Sequence, residues 1–182
     1  IQPWVIALFV VAGIVATALA RILTFAGVER LGSSINSAGV NTRPVWASIM
    51  AVFILGETVT LQMGLGIIVV VIGLIVVAFS EGGDITGWEI RHLAFPLTAA
   101  VAFGAGSVVR RFAFTTTAIT PLEGAALNEV AGLAALFVFV VARNPSASSL
   151  KSAPAAPRKA YAFFLGSAVV NAFALLALFE AL

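Results

Sequence analysis

Cysteine is absent from the 182 residues, so the chain has no disulfide, no thiolate nucleophile and no zinc–thiolate site. That absence says nothing about compartment. Histidine occurs once, at His92. A serine–histidine dyad would have to pair it with Ser107, about 22 Å away along a straight helix rising 1.5 Å per residue. Metal sites want clustered histidine, cysteine or carboxylate ligands, and the carboxylates here are scattered over expected loops and helix ends. No glycine-rich loop with its lysine is present to cradle a phosphate, so nothing points to ATP. Charge is scarce too: Asp, Glu, Lys and Arg make up 10% of the chain, against about 25% in a soluble domain. The expectation is a protein that is not an enzyme and takes no cofactor and no metal.

What fills the chain is apolar. Hydrophobic residues make up 61% of it, and the mean hydropathy is +1.11. The expected fold is therefore all-α, a polytopic transmembrane bundle of six helices, each near the roughly twenty residues that cross a bilayer. A net charge of +2 and an isoelectric point near 9.7 would suggest nucleic acid for a soluble chain. Here the few cations fall mostly in loops and at helix ends, where they report on topology. The bilayer, and no nucleic acid, is the expected partner.

Residues 33–79 organise the rest. Two apolar spans are joined by the polar break Gly56-Glu57-Thr58-Val59-Thr60. The first carries Pro44 in its middle and ends in Leu55-Gly56-Glu57; the second opens with Gln62 and Gly64 and stays apolar to Phe79. This order resembles the EamA-type transporters of the drug/metabolite transporter superfamily, in which the series marks the fourth and fifth helices of a five-helix repeat. The resemblance makes Glu57, Gln62 and Gly64 structural motif positions. It implies ten helices in two inverted repeats, of which this chain matches helices three to eight. Residues 1–79 would be the end of the first repeat, with three helices. Residues 80–87 would join the repeats, and 88–182 would start the second, again with three helices. The chain opens at Ile1, three residues ahead of an apolar run, and stops at Leu182 inside another, so the transporter fold is expected to be incomplete at both ends.

The implied function is a secondary carrier that moves small organic solutes or metabolites by alternating access, in efflux or exchange. Its expected place is multi-pass in a prokaryotic plasma membrane, with association into a homo-oligomer left open. The rival is a non-transporting helical scaffold or assembly protein whose intramembrane charges merely pair.

The polar positions inside the spans are the candidates for a substrate pathway. In the first helix, expected over 4–28 with Gly32 as a stop beyond it, Gly13, Thr17, Ala20, Arg21, Thr24 and Gly27 share a face at 100° per residue. They read equally as a packing stripe with Arg21 snorkelling to the interface and as a cavity lining. In the second helix, over 34–55, Ser37, Asn41, Pro44 and Ser48 share a face beside Asn36 and Arg43. Pro44 removes a backbone hydrogen bond and is expected to kink the helix. Freed backbone at depth must meet protein or a watery cavity, and so must Arg43. Glu57 is expected to face the amides opening the third helix, where Gly66 and Gly73 offer a close-packing face.

A capping box at Thr86 and Glu89 opens the fourth helix, over 88–112, which contains Pro96. Gly104, Gly106 and Ser107 read there as close packing, and the helix closes on Arg110-Arg111. A second box, Thr120 with Glu123 and Pro121 between, opens the fifth, over 121–141. That makes Glu123 a cap and leaves Asn128 and Glu129 without one. The sixth helix, from about residue 160, starts near Tyr161 and contains Asn171 and Glu180.

Laying residues 13–28 over 167–182 pairs identical Val15/Val169, Ala18/Ala172, Ala20/Ala174 and Phe25/Phe179 and sets Thr17 on Asn171. The identity is little above chance for so Ala/Val-rich a chain. The geometry is that of an inverted repeat, with substrate bound where the repeats meet. Thr17, Arg21, Asn41, Arg43, Pro44, Glu129 and Asn171 are thus the expected pathway residues. The arginines favour an anionic solute, and Glu129 would shift the fit toward a zwitterion. The loop cations Arg30, Arg91, Arg143, Lys151, Arg158 and Lys159 face only Arg110 and Arg111 on the other side, against the family's usual orientation.

Overall fold

The computed structural model describes residues 2–58, 60–79, 87 and 89–143, with positions 166, 169, 170, 173, 174 and 177. All the regular elements among the described residues are helical, and no strand occurs among them. Helix α1, Pro3–Ala12, places Pro3 in its first turn, where a missing N–H is harmless. It runs on through a π-helical stretch, Gly13–Leu19, in which the Ala20 N–H reaches back to the Val15 carbonyl, and into α2, Ala20–Val40. Gly32 interrupts α2 with φ 80° and ψ 169°, a conformation open to glycine at little cost. The first crossing thus reaches Leu31, up to the expected stop.

The second crossing starts at Ser33 and is broken, but not at Pro44. The break falls at Asn41 and Thr42, whose ψ angles of −3° and −7° leave the α-helix. Thr42 closes it by donating from its N–H (3.2 Å) and its Oγ1 (2.7 Å) to the Gly39 carbonyl. Helix α3, Arg43–Leu55, then begins afresh with Pro44 in its first turn. Proline is tolerated there and not in a helix interior, so the chain ends one helix and opens another in place of a kink centred on Pro44. Gly56 terminates α3 at φ 68°.

Helix α4, Leu61–Phe79, is capped by Thr60, whose Oγ1 accepts the Met63 N–H at 3.3 Å. Glu57 does not serve it. Three residues upstream of the cap, Glu57 instead pairs with Arg111 at 3.0 Å. Gly66 and Gly73 have open space where a side chain would point, so among the described residues they form no packing face. The outer face of α4 exposes Leu61, Leu65, Ile68, Val69, Ile72 and Val76.

The fourth crossing opens as a 3-10 turn, Ile90–Leu93, before helix α5, Ala94–Thr116. Glu89 caps the turn, and its N–H bonds to His92 Nδ1 at 3.3 Å. Thr86 and Trp88 lie outside the described residues. Helix α6, Pro121–Arg143, starts with the expected box. Thr120 donates to Glu123 Oε2 from its N–H (2.9 Å) and Oγ1 (2.8 Å), and the Glu123 N–H returns to Thr120 Oγ1 at 3.3 Å.

Three of these stretches, Pro3–Val40, Ile90–Thr116 and Pro121–Arg143, are long and apolar enough to cross a membrane. The bundle is a helical membrane bundle with α5 at its centre, against α1, the π-helical stretch, α2 and α3. Helix α6 packs on α1 and the π-helical stretch. An apolar cluster of Val5, Phe9, Ala113, Ile119 and Ala125 ties α1, α5 and α6 together at one end, with Phe9 and Phe114 edge to face at 5.3 Å. Of the expected sixth helix, residues 166, 169, 170, 173, 174 and 177 are helical. Tyr161, Asn171 and Glu180 lie outside the described residues.

Candidate functional site

Small residues let the helices approach closely around the polar positions. A methyl group at Gly132 would lie 2.5 Å from Thr17 Cβ, and one at Gly104 would lie 2.9 Å from the Ala47 backbone nitrogen. Helix α6 is thereby pressed onto the π-helical stretch, and α5 onto the start of α3. Small residues at such contacts are the usual means of bringing membrane helices together. The π-helical stretch widens the turn and breaks the 100° spacing on which a single stripe would depend. Gly13 and Thr17 consequently meet α6, and Ala16 meets α5 at Gly106.

A cavity of about 420 Å³ opens between these helices. Its described lining residues come from both halves of the chain. Ala16, Thr17, Arg21, Arg43, Pro44 and Ala47 come from the first two crossings, and Phe103, Ser107, Arg110, Asn128, Glu129 and Ala174 from residues after 88. Thr17, Arg21, Arg43, Pro44 and Glu129 are thus brought together from four separate elements. Asn41 is not among the lining residues; it ends α2, with its N–H on the Ser37 carbonyl at 3.0 Å. Asn171 lies outside the described residues, although Ala174, a turn further on, lines the cavity.

At the cavity wall a polar network joins α5, α6 and the π-helical stretch. Arg110, only 6% exposed, donates from one terminal nitrogen to Asn128 Oδ1 (3.3 Å) and from the other to Ser107 Oγ (3.2 Å). Asn128, 1% exposed, donates from Nδ2 to Thr17 Oγ1 (3.0 Å) and to Glu129 Oε1 (3.1 Å). Thr17 Oγ1 donates in turn to Glu129 Oε1 at 3.4 Å. The partners orient the carboxamide, because arginine only donates and a carboxylate only accepts. Asn128 thus links a cation to an anion without belonging to either.

Arg21 and Arg43 stand differently. Both are exposed at the cavity, and neither has a carboxylate partner among the described residues. The Arg43 guanidinium lies 5.9 Å from the Phe103 ring centroid, within cation–π reach. A charge at bilayer depth costs about 2.5–3.5 kcal/mol on the most lenient scale, so arginines kept at a cavity need water or a ligand.

The inward roles of Arg110 and Ser107 were hidden from a sequence reading. Arg110-Arg111 is the expected close of the helix, but α5 runs on past both to Thr116, and Arg111 turns outward to meet Glu57. Arg110 turns inward, so it leaves the tally of topological cations. Ser107 is not a packing residue alone, since it accepts from Arg110. The available signal was spacing: Phe103, Ser107 and Arg110 recur at i, i+4 and i+7, one helical face. A second cavity, of about 800 Å³, lies near the chain start between Gln2, Pro3, Val5, Thr116–Ile119 and Glu123. Its described lining includes no arginine, and Glu123, the carboxylate among them, is engaged by Thr120.

Residues 1–79 match the family model of EamA-like transporters. The match bears out the resemblance carried by Pro44, Leu55-Gly56-Glu57, Gln62 and Gly64, all of which it includes. It is consistent with membership of the drug/metabolite transporter superfamily and with an integral, multi-pass membrane protein. Neither curated proteins nor solved structures give a match to the chain. Within the EamA-like region lie the Arg21 and Arg43 side of the cavity and the break at Asn41 and Thr42; the Arg110 network faces them from outside it.

Proposed function

We propose that the cavity is the substrate pathway of a secondary carrier that moves small organic solutes, in efflux or exchange, by alternating access. The observation that carries this reading is that one arginine-lined cavity draws its described lining from both residues 1–79 and residues after 88. Inverted-repeat carriers bind their substrate at such an interface, near discontinuous helices. The break between α2 and α3 supplies the discontinuity, one residue before Arg43. In this reading residues 1–79 and 88–182 belong to two repeats, joined through 80–87, in a prokaryotic plasma membrane. The solute carries at least one anionic group, because Arg offers a two-pronged donor fork to carboxylates and phosphates.

The scaffold reading draws support from the Arg110–Asn128–Thr17 network, which holds three elements together. It gives no task to Arg21 and Arg43. Transport by the full-length protein with Arg21→Gln and Arg43→Gln separates the two. Lost uptake of organic anions with intact expression supports the carrier. Unchanged transport in both variants returns the arginines to a structural role.

A further inference from the structure

The charges around the cavity do not cancel, and the surplus describes the ligand. Among its described lining residues are three guanidiniums, Arg21, Arg43 and Arg110, and one carboxylate, Glu129. The carboxylate is already engaged on the Arg110 side, since the Asn128 carboxamide bonds to both residues, at 3.3 and 3.1 Å. Setting Glu129 against Arg110 leaves Arg21 and Arg43, the two that have no carboxylate partner among the described residues. Each is a permanent cation, because a guanidinium does not lose its proton in proteins. Closing a cavity around two such charges raises the cost of leaving them without an opposite charge, since water screens them less.

We infer that the cavity is built for a small organic dianion, a dicarboxylate or a phosphate monoester, whose two negative charges are met by Arg21 and Arg43. This rests on the carrier reading above and goes beyond it. A monoanion would leave one arginine unmatched on closure, and a zwitterion would leave both charges of the site in surplus. Phe103, Pro44 and Ala47 offer apolar surface for the carbon skeleton between the charged groups. The volume of about 420 Å³ lies in the range of small-molecule pockets. Glu129 sets the charge count: without it the site would carry one more positive charge.

The test is competition for binding and uptake by the full-length protein in liposomes, with succinate, glycerol phosphate, propionate and alanine as probes. At least one dianion is expected to half-saturate at about a tenfold lower concentration than propionate or alanine, the worth of one charge-assisted contact. Which of succinate and glycerol phosphate it is identifies the anionic group. Arg21→Gln and Arg43→Gln each shift the preference toward propionate, and Glu129→Gln shifts it toward the dianions. A merely structural arginine would lower all four probes alike. Preference for propionate or alanine in the unaltered protein overturns the dianion and leaves the carrier intact. A preference that none of the three substitutions moves, in protein shown to be folded, also overturns it. No binding or uptake of any probe overturns the dianion, whereas uptake of an uncharged or cationic solute would still uphold the carrier.

Discussion

Two clusters built on the same three crossings lie about one helical turn apart and could hardly differ more. Toward the chain start, Phe9 on α1, Ala113 on α5 and Ala125 on α6 form an apolar contact. One turn further in, the same faces carry Gly13, Arg110 and Asn128, the last two buried and joined by a hydrogen bond. The spacings are i, i+4 on the first crossing and i, i+3 on the others, so a single stripe on each changes character over about 5 Å. The polar cluster contributes Arg110 and Asn128 to the cavity wall, whereas none of the apolar cluster is among the described lining residues. Packing and polar chemistry are thus stacked along the helices and not divided between them.

Removing Phe9 attacks the apolar cluster. Phe9→Ala should destabilise the full-length protein in detergent by about 2–3 kcal/mol, less than the roughly 3–5 kcal/mol of soluble cores. Lipid chains are as apolar as the space vacated, so only packing is lost. Thermal unfolding measures it, and a loss below that of the polar variants would reverse the ranking of the two clusters.

Asn128→Ala strikes the polar side. It removes the acceptor for Arg110 and the donor to Thr17 and Glu129 together. Hydrogen bonds between membrane helices are individually worth about 0.6 kcal/mol, and at most about 1.7. The expected loss is therefore about 1–2 kcal/mol by the same unfolding measurement. Asn128→Asp should be no milder, because the carboxylate cannot donate to Glu129.

Gly132→Ala tests the close approach that holds the polar residues together. The added methyl would lie 2.5 Å from Thr17 Cβ, so helix α6 must move away. Overpacking of this kind costs about 1 kcal/mol or a little more. Its sharper signature is a weakened effect of Asn128→Ala in the double variant, since the bond to Thr17 would already be strained. Strict additivity would show that the two contacts are independent.

The smallest effect is expected at Glu57. Its pairing with Arg111 is partly exposed, so Glu57→Gln should cost about 0.5 kcal/mol. A loss above about 2 kcal/mol would show that this ion pair, and not the buried network, organises α5.

Much of this molecule follows from residue order. Apolar runs of span length dictate helices across a bilayer. Gly32, Gly56 and the Thr120–Glu123 box mark helix ends by local backbone chemistry, with no help from distant residues. The order from Pro44 to Gly64 was enough to point to the EamA-like family, and Arg43 had to face something other than lipid because its charge forbids it. What the sequence could not state was which face met which. The π-helical stretch re-aims Thr17 away from a regular stripe, and the proline shifts the break to Asn41 and Thr42, outside the cavity. Arg110 and Arg111 are adjacent and chemically identical, yet one is buried against Asn128 and the other meets Glu57 at the edge. Their separation depends on the 100° between neighbouring helical residues and on where α6 and α3 lie around α5. That placement belongs to the packing of small residues such as Gly104 and Gly132, so only the tertiary structure could decide it.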